Sequence, residues 1–299
     1  MPRKTSPAPS AVSRRAALAG AAAAAAALAA PRSCLAAAEA AAAVKGRLRQ
    51  SVSKWCFDSW WSLETLAANC AKIGIKGIDL IGANDWPTVK KHGLTPTMAP
   101  GAGSISNGWN RKDNHDRFVE EMKRNLDLAA EAGVPNVICM SGERKGLPDD
   151  EGIKNCVEGL KRVAGYAERK KVTMCMELLN SKVDHKDYQC DRTAWGVEVV
   201  KGVGSPRFKL LYDIYHMQIM EGDVIRTITD NIQHIGHFHT AGNPGRKDLD
   251  EEQELFYPAI MRAIAKLTEE GKYNGYVAHE FGAKKGLDSI RQAIQLCDV

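Results

Sequence analysis

The chain has 299 residues, of which 44% are hydrophobic and 26% charged. That is ordinary globular composition, unlike that of a disordered chain or a polytopic membrane protein. The formal net charge of +5 sits mostly in residues 1–44, which hold Arg3, Lys4, Arg14, Arg15 and Arg32 against Glu39; residues 45–299 carry 36 basic and 35 acidic side chains. A neutral body has no global attraction to a polyanion, so no nucleic-acid partner is expected.

Residues 16–43 contain 19 alanines in 28 positions. They follow Ser13-Arg14-Arg15-Ala16-Ala17-Leu18, which resembles the twin-arginine export signal, with Ala17 where that signal usually has Phe. The apolar run 16–30 is 15 residues long. That is short of the roughly 20 a membrane-spanning helix needs and fits a signal h-region, so no stable membrane span is expected. Ala27-Leu28-Ala29 and Ala36-Ala37-Ala38 offer cleavage sites. The expectation is a leader over 1–44, a folded body over 45–299, and export to the periplasm; an uncleaved Ala-rich tail would leave the protein cytoplasmic. The eight cysteines form no C-x-x-C pair, so neither a structural zinc site nor a disulfide scaffold is expected.

From residue 51 strand-like and helix-like segments alternate. Strands are predicted at 51–57, 77–82, 94–100, 136–142, 172–180, 208–216, 235–242 and 276–282, each short, apolar and mostly bounded by Gly, Pro or Asn. Helices are predicted between them. One over 62–73 is capped by Ser62 and closed by Gly74. One over 113–132 carries Phe118, Met122, Leu126, Ala129 and Ala130 on one stripe and stops at Gly133. One over 151–170 carries Ile153, Val157, Leu160, Val163 and Ala167. Strict β/α alternation implies a parallel sheet. Eight units of about 31 residues match a single (β/α)8 TIM barrel. A doubly wound open sheet is the alternative, but it usually announces a Gly-rich phosphate loop after its first strand, and none follows Phe57.

Polar residues at the ends of apolar strands are the informative ones, because an unpaired buried charge is costly. Glu177, Asp213, His239 and Glu280 stand near the ends of the last four strands, 36, 26 and 41 residues apart. In a barrel these spacings place all four at the C-terminal rim, where barrel enzymes build their sites. Three carboxylates and an imidazole would repel one another there without a cation. Oxygen-rich ligation with one nitrogen suits one divalent ion, Mn²⁺ or Mg²⁺ first, with Co²⁺ or Zn²⁺ also fitting. Four separately salt-bridged carboxyl and imidazole groups are the bland alternative.

The runs Met176-Glu177-Leu178-Leu179-Asn180, Tyr212-Asp213-Ile214-Tyr215-His216, Gly236-His237-Phe238-His239-Thr240-Ala241-Gly242-Asn243-Pro244-Gly245-Arg246 and His279-Glu280-Phe281 resemble the hydroxypyruvate isomerase group. That group lies within the xylose isomerase-like TIM barrels, which also include ketose 3-epimerases and endonuclease IV. The resemblance spans most of 51–299. It implies that Glu177, Asp213, His239 and Glu280 are metal ligands and that Glu177 and Glu280 are the acid/base pair. It also implies that His216 and Arg246 hold oxygens of a small sugar or hydroxy-carbonyl substrate. The implied activity is a metal-dependent aldose–ketose isomerase working through an enediolate. The third ligand is often Gln in hydroxypyruvate isomerases and His in the epimerases, so a ketose 3-epimerase or an inosose-type epimerase or dehydratase stays in contention. An AP endonuclease would use more histidines across more strands, and the early strands here supply none at their ends. A non-catalytic sugar-binding protein would need no acid/base pair. A homo-oligomer is compatible with this reading.

Other residues read as follows. His237 shares a face with His239 and sits deeper, in the core or behind the ligands. His185 and His279 read as structural. Trp55, Trp60 and Trp61 read as a core patch or a pocket wall, and the acidic run 248–254 reads as a solvated loop.

Overall fold

The structure, a computed structural model, describes residues 44–299; the expected export signal and its cleavage sites lie outside the described residues. The strands are β1 (Arg49–Ser53), β2 (Gly77–Asp79), β3 (Thr95–Pro96), β4 (Ala99–Ala102), β5 (Asn136–Cys139), β6 (Thr173–Glu177), β7 (Phe208–Asp213), β8 (Ile235–Thr240) and β9 (Tyr276–His279). They pair in parallel in the order β3-β2-β1-β9-β8-β7-β6-β5-β4. The two ends of the sheet, β3 and β4, belong to one stretch of chain, and that stretch closes an α/β TIM-like barrel. The third predicted strand is thus split, β3 pairing with β2 and β4 with β5. Pro96 and Pro100 have no N–H to donate, so a continuous ladder cannot run through them.

The crossovers are α1 (Leu63–Lys72), α2 (Trp86–Lys91), α3 (His115–Ala132), α4 (Asp149–Lys170), α5 (Thr193–Val203), the pair α6 (Ile214–Met220) and α7 (Val224–Asn231), and α8 (Tyr257–Glu269); α9 (Leu287–Cys297) follows β9. Local chemistry sets their limits. Ser62 Oγ accepts the N–H of Thr65 at the start of α1. Gly133, in the left-handed conformation at φ 68, ends α3. The predicted stripe of α3 is its buried face, with Phe118, Met122, Leu126 and Ala129 against the sheet. Burying such side chains contributes roughly 1.5–3 kcal/mol for each large one. Among the described residues no helix is long and apolar enough to cross a membrane.

Strand alternation then separates two interiors. Met174 and Met176 of β6 join the large core under the helices, whereas Cys175 meets Met98 and Leu211 in a small cluster of its own. Glu177 lies two residues beyond Cys175, and Asp213 two beyond Leu211. Both therefore take the barrel's inner face one layer nearer the C-terminal rim. His237 and His239 share that face on β8, where His239 pairs with Asp213 on one side and Ala278 on the other.

Two early strands end sooner than predicted. β1 stops at Ser53 and is followed by a 3₁₀ turn, Lys54–Phe57. β2 stops at Asp79, because Leu80 turns to φ 55. Gly77 permits the close approach of β2 to the next segment: a Cβ there would lie 2.4 Å from Thr97 Cγ2.

Candidate metal centre

Glu177 and Asp213 are the last residues of β6 and β7, His239 is the penultimate residue of β8, and Glu280 immediately follows β9. All four are buried, and one donor atom from each lies within 4.8 Å of the others. His239 Nδ1 stands 2.5 Å from Glu280 Oε2, 3.4 Å from Glu177 Oε1 and 3.9 Å from Asp213 Oδ2. Despite these short distances Nδ1 has no well-angled hydrogen-bond partner. A buried polar atom without a partner costs about 1–3 kcal/mol, and a cation among these oxygens would satisfy it. The donor set of three carboxylates and one imidazole, with its Nδ1 beside their oxygens, fits a divalent metal.

The orientation of Asp213 follows from the chain. As the N-cap of α6 it accepts the N–H of His216 on Oδ1 at 3.0 Å, which leaves Oδ2 facing the site. Arg246 Nη2 reaches that Oδ2 at 2.9 Å and Glu280 Oε2 at 2.5 Å. Its guanidinium also lies 5.3 Å over the Tyr215 ring. Arg246 Nη1 stands 2.5 Å from His216 Nε2, and Asn180 Nδ2 stands 2.6 Å from His216 Nδ1. A neutral imidazole has one acceptor nitrogen, so His216 takes one of these donors at a time. The structure therefore brings together all six residues singled out from the sequence.

The charges at the site are unequal. Burial lifts the Glu177 carboxyl to about 7. Burial also raises Asp213, but the Arg246 guanidinium outweighs it and holds the carboxyl below its usual range. Burial is likewise opposed at Glu280, by His239 and Arg246, and this carboxyl stays ionised. His239 is disfavoured as a cation by burial, yet Glu280, Asp79 and Glu177 hold it well above an ordinary histidine. Burial pushes His216 down to about 3, which keeps it neutral.

Two features depart from the sequence reading, and a third decides between the two alternatives it left for Trp55. Asp79, at the end of β2, is fully buried, and its Oδ2 lies 2.8 Å from His239 Nε2. An acid inside Gly77-Ile78-Asp79-Leu80-Ile81 was the available signal, hidden because the strand was expected to run on to Gly82. Trp55 is about half exposed and donates Nε1–H to Glu280 Oε1 at 2.7 Å, which makes it a wall of the site and not a core residue. Asp248 is no solvated residue: it is buried and accepts from Ser289 Oγ at 2.9 Å and Lys284 N at 3.2 Å, tying the loop after β8 to the start of α9. His237 lies behind the ligands, 3.2 Å from Asp79. His279 sits in the core between Thr240 Oγ1 and Gln50 Oε1, each at 2.9 Å.

A separate opening of about 560 Å³ lies at the strand starts, lined by Arg49, Lys171, Arg207, Lys209 and Lys272 among others. Lys171 ends α4, and Arg207 and Lys272 lie just past the ends of α5 and α8. Several of these cations are engaged by the protein itself: Arg49 by Asn274, Arg207 by Thr173 and Lys209 by the Gln233 carbonyl.

The sequence profile of the family described as xylose isomerase-like TIM barrel matches residues 67–298. A 2-oxo-tetronate isomerase of Cupriavidus necator is 31% identical over 173 residues, covering 56% of this chain and 63% of that one. A hydroxypyruvate isomerase of Escherichia coli is 27% identical over 167 residues, 56% of this chain and 62% of its own. The matches thus span somewhat over three-fifths of each relative's length. An AP endonuclease, family 2, from Brucella melitensis superposes with a TM-score of 0.69 over 81% of this chain and 97% of that one, at 23% identity. At that identity the likeness establishes the fold alone.

Proposed function

The chain belongs to the xylose isomerase-like TIM barrel family, and on that footing we propose that it is a metal-dependent isomerase of small hydroxy-carbonyl compounds, hydroxypyruvate isomerase-like. The observation that carries this reading is the convergence of four buried donors, one each from Glu177, Asp213, His239 and Glu280, within 4.8 Å of one another. Glu177, Asp213, His239 and Glu280 would hold the metal, with Mn²⁺ or Mg²⁺ favoured by the oxygen-rich set. Such an ion supplies a Lewis acid that stabilises negative charge developing on the oxygens of the substrate. Two relatives carry isomerase names, which supports isomerisation as the reaction.

The residues divide the remaining work. Glu177 is placed to take and return a proton as the general base. It removes the hydrogen from the carbon beside the carbonyl. The protonated Glu177 then returns that proton to the neighbouring carbon, while the hydroxyl proton passes to the former carbonyl oxygen, a transfer that ionised Glu280 can carry, and the carbonyl has shifted. Trp55 and Arg246 hold Glu280 from opposite oxygens, Oε1 and Oε2, and so fix the angle of its carboxylate. Neutral His216 and cationic Arg246 face the same space, where they can hold a substrate hydroxyl and a carboxylate.

A ketose 3-epimerase is the second reading, favoured by His239 in the third ligand position. Returning the proton to the opposite face of the same carbon would then invert a centre. Metal analysis followed by a panel of hydroxypyruvate, ketoses and inosose, with product stereochemistry, decides between them. Turnover of none of these by the metal-loaded protein defeats both readings.

A further inference from the structure

Asp79 is a fully buried carboxylate, and among the described residues no Lys or Arg lies within ion-pair distance of it. A charge in such a place is costly unless hydrogen bonds compensate it. Two do: Thr97 Oγ1 donates to Oδ1 at 2.5 Å, and His239 Nε2 donates to Oδ2 at 2.8 Å. His237 Nε2 lies 3.2 Å from Oδ1 but at an angle that makes no hydrogen bond. The carboxylate is thus spent on one side chain of the site, from the face opposite the three acids.

We infer that Asp79 is a positioning residue for His239: by accepting Nε2–H it fixes the imidazole tautomer and ring angle that turn the Nδ1 lone pair toward Glu177, Asp213 and Glu280. This rests on the reading of those four residues as metal ligands. The opposite tautomer would set the Nε2 lone pair against the Asp79 carboxylate and aim an N–H at the place of the cation. Thr97 completes the arrangement from the break between β3 and β4, where Gly77 lets that segment approach closely. The backbone N–H of Thr97 donates to Ile78 O of β2 at 2.9 Å, which holds the residue beside that strand with its hydroxyl on Asp79.

The test is Mn²⁺ titration of the full chain and of Asp79→Asn by calorimetry. The variant is expected to bind about 10–100-fold more weakly, the usual effect of removing a group that orients a metal-bound histidine. Mn²⁺ affinity within twofold of wild type, whatever the change in stability, would make Asp79 purely structural and overturn the inference. Nitrogen-15 NMR of the Mg²⁺-loaded wild-type protein decides the case even if Asp79→Asn does not fold. The His239 proton is expected on Nε2, shifted downfield by its charged acceptor; a proton on Nδ1 overturns the inference. Absence of Mn²⁺ binding by the wild-type chain would instead defeat the reading of the four ligands.

Discussion

Arg246 makes the most demanding prediction, because its guanidinium occupies the flank of the site that a cation would neutralise. It lies 2.9 Å from Asp213 Oδ2 and 2.5 Å from Glu280 Oε2. Replacing it with Met keeps an unbranched apolar stem and removes the charge. Both carboxylates are then left buried without that partner. Breaking a fully buried ion pair costs about 3–5 kcal/mol, and with 19% of the arginine side chain exposed the lower end, about 3 kcal/mol, applies. For a domain of this size that corresponds to a fall of roughly 6–12 °C in the melting midpoint. The decisive comparison is thermal unfolding with EDTA and with saturating Mn²⁺. The full loss is expected in EDTA and most of it is expected to disappear with Mn²⁺, because the metal supplies the missing positive charge. An equal loss under both conditions would refute the idea that guanidinium and metal act on the same carboxylates.

Other outcomes follow from the same geometry. Glu280→Gln is expected to lower kcat by about 10²–10⁴-fold, the usual contribution of a general acid or base; near-normal turnover with metal retained would remove Glu280 from the reaction. EDTA should abolish turnover, and Mn²⁺ at 100 times its Kd should raise the unfolding free energy by about 2.7 kcal/mol. Turnover that survives exhaustive chelation contradicts this. Burial holds His279 at about 3, below its unfolded value of about 6.5. Its contribution to stability is therefore full above pH 6.5 and is lost as pH falls toward 3, at about 1.4 kcal/mol per pH unit. The stability of His279→Gln should fall less steeply between pH 6.5 and 5 in urea titrations, and an unchanged slope would count against it. For the N-terminus, Edman sequencing of the exported protein is expected to begin within or just after the Ala-rich stretch, and an intact Met1 in a cytosolic fraction would contradict export.

Much of the barrel is legible in the chain because its punctuation is local. Ser62 caps, Gly133 stops, and the apolar stripe of α3 repeats every three or four residues; each acts over one turn of helix. The three acids and the imidazole are legible for a related reason, since each closes an apolar run whose burial it would otherwise spoil. What escaped notice depends on where strands stop and on what lies across the barrel. The strand 77–82 was expected to reach Gly82, so Asp79 read as interior to it. Nothing in Gly77-Ile78-Asp79-Leu80 says that Leu80 adopts φ 55 and ends the strand there. Likewise the run 51–57 hides the 3₁₀ turn that puts Trp55 on the rim beside Glu280. Asp248 looks like its exposed neighbours in an acidic loop; only the return of the chain to Ser289 buries it.

The central claim is that one divalent cation is held by Glu177, Asp213, Glu280 and a single nitrogen from His239. Pulsed EPR of the protein loaded with Mn²⁺ tests this directly. One ion per chain is expected, with hyperfine coupling to one directly bound nitrogen that vanishes in His239→Gln. A spectrum without that coupling, or one that the substitution leaves unchanged, would contradict the account.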